Sequence, residues 1–374
     1  MQSTREPLHV MNQKIYRERI LILREEHWRE RLLIRPARSY PRSDHYNGEF
    51  FHNLERGGRR DSDVLTWLRT RKPSRWPDWV QNDDYALPPR RLSEDLNDWR
   101  VSFVNHATVL IQIGPYNLIT DPVWSFRVSP FRNLGPKRVR AAGIALEDLP
   151  QIDLVLLSHN HYDHLDLPTL RYLEKRDRPH VVTGLGNASL LRANGLARVS
   201  ELDWWQSTEH EELKVHFTPA KHFSGRSLRD RNRSLWGGLW VESKAGSLFF
   251  GGDTGYGRHF KAIHERLGVP RFALLPIGAY EPYWFMGPVH MNPEDAVRAH
   301  LDLQAENTLA IHFNTFQLTD EPIDQPVIDL ARALEKHQVD PSRFWVLPEG
   351  AGKVIPSAGI SGSPRQNESL VLRR

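Results

Sequence analysis

What this chain can fold into is constrained most by a series of short apolar runs between Val101 and Leu347, each too short to be a helix of its own. Val101–Val104, Val109–Ile113 and Asn117–Thr120 follow one another closely, with Gly114-Pro115 as a turn, which is the pattern of hairpins. Further runs lie at Leu154–Leu157, Val181–Val182, Val215–Phe217, Leu235–Val241, Leu248–Phe250, Phe272–Pro276, Leu309–His312 and Phe344–Leu347. Between them, helical patterns occupy Leu167–Lys175, Ala188–Asn194, Arg258–Leu267, Pro293–Leu303 and Pro326–His337. Hairpins mixed with alternating helices predict an α/β chain of two sheets covered by helices, rather than one parallel sheet. Asn292 before Pro293 predicts a capped helix start, and Asp166 is read as the cap of the helix that begins at Leu167.

The text on either side of this body differs from it. Met11–Ile34 holds no Gly or Pro and reads as a helix that stops before Pro36. Arg35–Pro89 is broken by Pro, Gly and Asp, with one helical piece at Ser62–Thr70. Trp67, Trp76 and Trp79 predict that this arm packs on the body. The expected division is a basic extension over residues 1–95, a body over 96–356 and a flexible Ser/Gly-rich tail over 357–374. Net charge is +4, yet residues 1–80 hold 17 Lys+Arg against 11 Asp+Glu, so the remainder is slightly acidic. A basic arm on a near-neutral body attracts phosphate, in lipid headgroups or in nucleic acid. The apolar run Ile20–Leu23, between Arg19 and Arg24, is neither a membrane span nor a signal peptide. A cytoplasmic or peripheral membrane location is expected.

The chain contains no cysteine, which removes disulfides, thiolate nucleophiles and Cys-based metal sites together. Any metal must sit on His, Asp or Glu. The informative text is Leu157-Ser158-His159-Asn160-His161-Tyr162-Asp163-His164, directly after an apolar run. In an extended segment alternate side chains share a side, so His159, His161 and Asp163 converge, and a turn then swings His164 in beside Asp163. Imidazole and carboxylate donors suit zinc. Four donors cannot complete two tetrahedral sites, and three candidates follow downstream: His222 after Val215–Phe217, Asp253 after Leu248–Phe250, and His312 at the end of Leu309–Ile311. An ionisable residue placed after an apolar run, among glycines, is where active sites form.

The order of these motifs resembles the metallo-β-lactamase superfamily. Asn105–Val109, Leu118–Pro122, Gly135–Arg138, Ser158–Asp166, Leu202–Trp205, Gly252–Tyr256, Pro276–Pro282 and Trp284–Met286 further resemble N-acylphosphatidylethanolamine-hydrolysing phospholipases D, from about Trp99 to Gly350. The chain departs from that pattern at Asn105, Val289 and Phe313-Asn314, none of them in the donor set. The resemblance implies an αββα sandwich with an N-terminal helical and irregular extension. It also implies two Zn²⁺ ions, with other divalent metals compatible. His159, His161 and His222 would hold one, Asp163, His164 and His312 the other, with Asp253 shared between them.

The implied reaction is attack on a phosphodiester by a hydroxide generated between the two metals, releasing N-acylethanolamine and phosphatidic acid. Asp253 and His290 are the catalytic candidates. His290, Tyr280, Glu281, Trp284 and Phe285 are expected to contact substrate, and His106 is read as a residue bonding backbone beside the site. The expected partner is a phospholipid or another phosphodiester, with peripheral membrane contact through the basic arm. Nucleic acid is disfavoured, and a homodimer is compatible. The competing readings are a binuclear hydrolase of a soluble phosphodiester, nucleic acid or lactone, and a non-catalytic membrane-associated regulatory protein that retains the fold.

Overall fold

A computed structural model describes residues 40–55, 61–131, 133–227 and 229–357. The apolar runs pair into two sheets of seven strands each. The first holds β1 (Trp99–Asn105), β2 (Thr108–Ile113), β3 (Tyr116–Thr120), β4 (Leu154–Leu157), β5 (His180–Gly184) and β6 (Val199–Leu202) side by side. The second runs through β7 (Ser207–His210), β8 (Leu213–Thr218), β9 (Gly238–Ser243), β10 (Gly246–Phe250), β11 (Phe272–Pro276), β12 (Asn307–Ile311) and β13 (Phe344–Trp345). The last strand, β14 (Gly352–Ile355), returns to the first sheet beside β1. Each sheet opens with antiparallel pairs, β1–β2–β3 and β7–β8–β9–β10, and then continues in parallel, as expected where hairpins give way to helical crossovers.

The helices are α1 (Asp61–Thr70), α2 (Leu167–Asp177), α3 (Ala188–Ala193), α4 (His259–Leu267), α5 (Tyr283–Met286), α6 (Pro293–Leu303) and α7 (Gln325–Lys336). Alternation along the strands divides the core. Leu154 and Leu156 of β4 face the inner core between the sheets, while Val155 and Leu157 face α2 and α3 through Leu167, Leu170, Leu173, Leu190 and Leu191. On the other side, Ala296, Val297 and Leu303 of α6 and Leu330 and Leu334 of α7 join the core beside β11 and β12. Each fully buried Leu or Val contributes about 1.5–3 kcal/mol over its exposed state, and this burial is what holds helices and sheets together against the entropy lost on folding.

Three strands escaped the sequence reading: β6, β7 and β14. All are edge strands, and their sequences, VSEL, STEH and GKVI, carry little apolar signal because an edge strand is half solvated. The run Leu235–Val241 is a strand only from Gly238 onward. Before that, Leu235 N donates to Leu185 O and Gly237 N to Ser158 O, so this stretch crosses to the first sheet. Asp166 stands at the N-cap position of α2, but its carboxylate accepts from Trp124 N, Ser125 N, Ser125 Oγ and Thr169 Oγ1 rather than from the helix backbone. Asn292 caps α6 as expected, its Oδ1 accepting from Asp295 N at 2.8 Å.

The described part of the N-terminal arm packs on the body. Tyr46 and Phe51 are buried in the main core, and Trp67 stacks on Phe285 with ring centroids 5.1 Å apart. Trp76 Nε1 donates to Glu321 O at 2.8 Å. The helix expected at Met11–Ile34 and the tail beyond Ser357 lie outside the described residues.

Candidate metal centre

The candidate donors all stand beyond the C-terminal ends of strands, at one end of the sandwich. That is where diverging strand ends leave room and loops can converge. His159, His161, Asp163 and His164 follow β4. His164 N and Leu165 N both donate to His161 O, the turn that brings His164 round beside Asp163. His222 follows β8, Asp253 follows β10, His312 follows β12, and His106 occupies the turn between β1 and β2.

These side chains form two adjoining clusters. In the first, His159 Nε2 lies 2.8 Å and His222 Nε2 3.2 Å from His161 Nδ1. In the second, Asp163 Oδ2 lies 3.4 Å from His164 Nε2, 3.5 Å from His312 Nε2 and 3.2 Å from His106 Nε2. Asp253 joins the two: Oδ2 is 3.2 Å from His164 Nε2 and 3.7 Å from His222 Nε2, and Oδ1 is 3.1 Å from His312 Nε2. All seven residues expected as donors are thus brought together, and His106 joins them. It does more than bond backbone: its ring lies 4.0 Å from that of His312, while its carbonyl accepts from His312 N.

The electrostatics differ between the clusters. Burial pushes His159 and His222 well below the ordinary imidazole value, and His161 down to about 4. Their ring nitrogens therefore keep lone pairs available to a cation. At His312, burial works in the same direction but Asp253 and Asp163 overcome it and push the ring up to about 9. Burial opposes ionisation of Asp163 and Asp253, yet the facing His164 holds both well below the usual carboxylate range. The buried Asp253 and the half-buried Asp163, among imidazoles, form a pocket poised for positive charge.

A divalent metal fits this donor set. His164 Nε2, His312 Nε2 and Asp253 Oδ1 are buried and lie 3.1–3.5 Å from neighbouring donor atoms, yet none of these contacts has the geometry of a hydrogen bond. Buried orphan atoms are costly, and three that converge are explained together by one kind of guest, a cation. Imidazole and carboxylate, without thiolate, suit zinc and equally manganese or iron.

The supporting shell fixes the rings. Asp121, at the end of β3, accepts from His164 Nδ1 at 2.6 Å, Ser158 N at 2.8 Å and Ser158 Oγ at 2.5 Å. His164 is thereby oriented with Nε2 toward the cluster. His222 Nδ1 donates to Val289 O at 2.9 Å, which turns its Nε2 inward in the same way. Because the carbonyl makes this contact, the departure at the Val289 side chain does not affect it. The buried Arg226 guanidinium donates to Asn160 O and Leu165 O and lies 3.8 Å over the Tyr162 ring, bracing the donor loop from both ends. Gly252 has φ +58°, and a Cβ there would come 2.6 Å from Ser158 Cβ, so the Asp253 loop can approach the His159 loop only with glycine. His106, Asp121 and His312 also have positive φ, a concentration of strained backbone at one place.

Asp121, Arg226 and the Val289 carbonyl were not assigned roles from the sequence. Asp121 carries the signal that marked His222 and Asp253, an ionisable residue after an apolar run; Arg226 carries none.

His290 stands at the rim, with its Nδ1 3.9 Å from Asp253 Oδ2 and its ring 5.1 Å from His222. The expected aromatic wall is mostly inside the protein. Tyr280 is buried with its hydroxyl donating to Asp329 Oδ2, and Phe285 is buried against Trp67. Glu281 is half-buried, and Trp284 is exposed at 52%.

Residues 116–313 match the family described as the beta-lactamase superfamily domain. An uncharacterised protein of Mycobacterium tuberculosis is 42% identical over 256 residues, 67% of this chain and 68% of that one. N-acyl-phosphatidylethanolamine-hydrolyzing phospholipase D 1 of Caenorhabditis elegans is 38% identical over 63% of this chain and 70% of its own length. The mitochondrial enzyme of the same description from Saccharomyces cerevisiae is 39% identical over 56% of this chain and 46% of its own. Among solved structures, the metallo hydrolase Igni18 of Ignicoccus hospitalis superposes with a TM-score of 0.53 at 20% identity, over 69% of this chain and 98% of that one. At that identity the likeness concerns the fold.

Proposed function

Because the chain belongs to the metallo-β-lactamase superfamily of metal-dependent hydrolases, we propose that it is a phosphodiesterase acting on N-acylphosphatidylethanolamine-like phospholipids. The observation that carries the reaction class is the meeting of seven donors from four loops in two clusters joined by Asp253. The substrate class rests on the relatives named for that lipid reaction.

His159, His161 and His222 would hold one divalent metal such as zinc, and Asp163, His164 and His312 would hold a second, with Asp253 beside both clusters. When bound, such metals supply Lewis acidity toward phosphoryl oxygens and lower the pKa of water toward neutrality. Asp253 directs carboxylate oxygens to both clusters and there orients the attacking water. His290, at the rim beside Asp253, contacts the phosphate or the departing oxygen. Asp121 and the Val289 carbonyl keep His164 and His222 turned to the cluster. Cleavage at the ethanolamine side of phosphorus releases N-acylethanolamine and leaves phosphatidic acid.

A lipid surface suits the outer face beside this site. Leu65 and Leu68 of α1 are exposed at 57% and 54%, next to Trp67, which stacks on Phe285 beside the exposed Trp284. Apolar side chains on a helix with Arg69 in its last turn are what an interfacial contact uses. Among the described residues no helix is long and apolar enough to cross a membrane.

The test is turnover by the metal-loaded protein of vesicles containing N-acylphosphatidylethanolamine, beside a soluble phosphodiester. Release of N-acylethanolamine with phosphatidic acid is expected. Turnover of the soluble ester alone would replace the lipid by a soluble substrate, and a protein that takes up no metal would remove the reaction class itself.

A further inference from the structure

His222 differs from the other donors in what holds its backbone. It lies in the irregular stretch between β8 and β9, where no strand ladder satisfies the main chain. Both backbone groups of His222 are instead taken by one side chain, Asn53, from the N-terminal arm. Asn53 Nδ2 donates to His222 O at 2.9 Å, and Asn53 Oδ1 accepts from His222 N at 3.1 Å. An uncharged side chain that donates and accepts from adjacent atoms must be an amide, and this one reads the His222 peptide as a neighbouring strand would. Trp236 Nε1 donates to the same Oδ1 at 3.2 Å, which fixes which end of the amide is oxygen.

The contact is part of a clip. Phe51, two residues earlier, is buried and its N donates to Asn232 O. Two residues later, Glu55 accepts from Arg258 N at 2.8 Å, at the start of α4, and pairs with Lys221 Nζ at 3.4 Å. Lys221 in turn joins the Asp253 loop: its N donates to Thr254 Oγ1, and its O accepts from Gly255 N. Residues 51–55 therefore tie together the two segments that carry His222 and Asp253.

We propose that Asn53 is a positioning residue of the metal centre, setting the His222 backbone so that Nε2 meets His161 and Asp253. The arm is then a working part of the site and not only a cover. This inference rests on the reading of His222 as a metal ligand. With Val289 O fixing the ring and Asn53 the backbone, removal of either contact leaves the ring free to swing from the position the cation needs.

The experiment compares Asn53→Ala, Asn53→Asp, His222→Ala and Arg233→Ala in the full chain. Arg233 pairs with Glu49 elsewhere on the arm and does not touch Asn53. Zn²⁺ affinity is read by competition with a chromophoric chelator, coordination by the Co²⁺ absorption spectrum, and folding by thermal unfolding of the metal-free protein. Asn53→Ala should weaken Zn²⁺ binding about 10–100-fold and alter the Co²⁺ spectrum. Asn53→Asp keeps the acceptor for His222 N but sets an oxygen against His222 O, so it should weaken binding as well. Arg233→Ala should bind as the parent does. Should Asn53→Ala fail to fold, Asn53→Asp alone decides. Unchanged affinity and spectrum in a folded Asn53 variant, with His222→Ala impaired, would overturn the inference alone, as would an equal loss in Arg233→Ala. If His222→Ala itself binds normally, the ligand reading of His222 fails and the inference goes with it.

Discussion

The loop after β4 and the loop after β8 meet at the same centre but are built on opposite plans. The first delivers four donors within six residues that share two braces: Asp121 holds Ser158 and His164, and Arg226, from the loop after β8, holds Asn160 and Leu165. The second delivers a single donor, His222. Its supports come from Asn53, 169 positions away, and from the Val289 carbonyl, 67 positions away. Donors that crowd together in the chain share one set of braces, whereas a lone donor needs a set of its own. Sensitivity to substitution should therefore spread widely around His222 and stay narrow around the His159 loop.

The largest expected effect erases the contrast. Asp253 lies against His164 and His312 on one side and His222 on the other, so Asp253→Ala should empty both clusters of metal. Turnover should fall by roughly a thousandfold or more, since the Lewis-acid contribution amounts to several kcal/mol. Elemental analysis and a turnover assay check this; a variant that retains both metals would mean that Asp253 does not join the clusters.

A smaller change should touch the first loop alone. Asp121→Asn removes the carboxylate that orients His164 and should cost about 10–100-fold in metal affinity. Binding at the three-histidine cluster should weaken less, because Asp121 bonds His164 directly but reaches His159 only through Ser158 Oγ. Chelator titration that resolves two phases distinguishes this from uniform loss.

The smallest effect concerns the arm that reaches His222. His45 stacks on Trp204 at 4.3 Å and lies between Asp44 and Asp203, at 2.6 and 2.7 Å. Burial lowers its pKa, but the hydrogen bonds to Asp203 and Asp44 outweigh burial and raise it above the ordinary 6.5. A raised folded-state value means that the protonated ring stabilises docking fully below the unfolded value and loses that contribution as pH climbs through the folded one. Proteolysis of the arm should therefore accelerate as pH rises above about 6.5, and His45→Gln should flatten that dependence. An unaltered pH profile in the variant would show that His45 is not the titrating contact.

Much of the site could be read without coordinates because its chemistry is local. His159, His161, Asp163 and His164 announce themselves by spacing, and His222, Asp253 and His312 by standing after apolar runs. Asp121 obeyed the same rule without being assigned, since the rule finds polar strand ends and does not separate a ligand from the residue that orients one. Tyr280 and Phe285, expected on the cleft wall, are instead buried, because an aromatic cluster looks alike in sequence whether it faces a substrate or a core.

The order of the apolar strands and the longer helices of the body, and the confinement of any metal to imidazole and carboxylate donors, were determined by the sequence itself, since periodicity and composition are properties of short stretches. The tertiary structure decided how the polar edge strands β6, β7 and β14 close the sheets, that Arg226 braces the donor loop and that Asn53 holds His222. The reason is physical: a contact between residues far apart in the chain depends on where folding places both partners, and neither partner's neighbours in the chain record it.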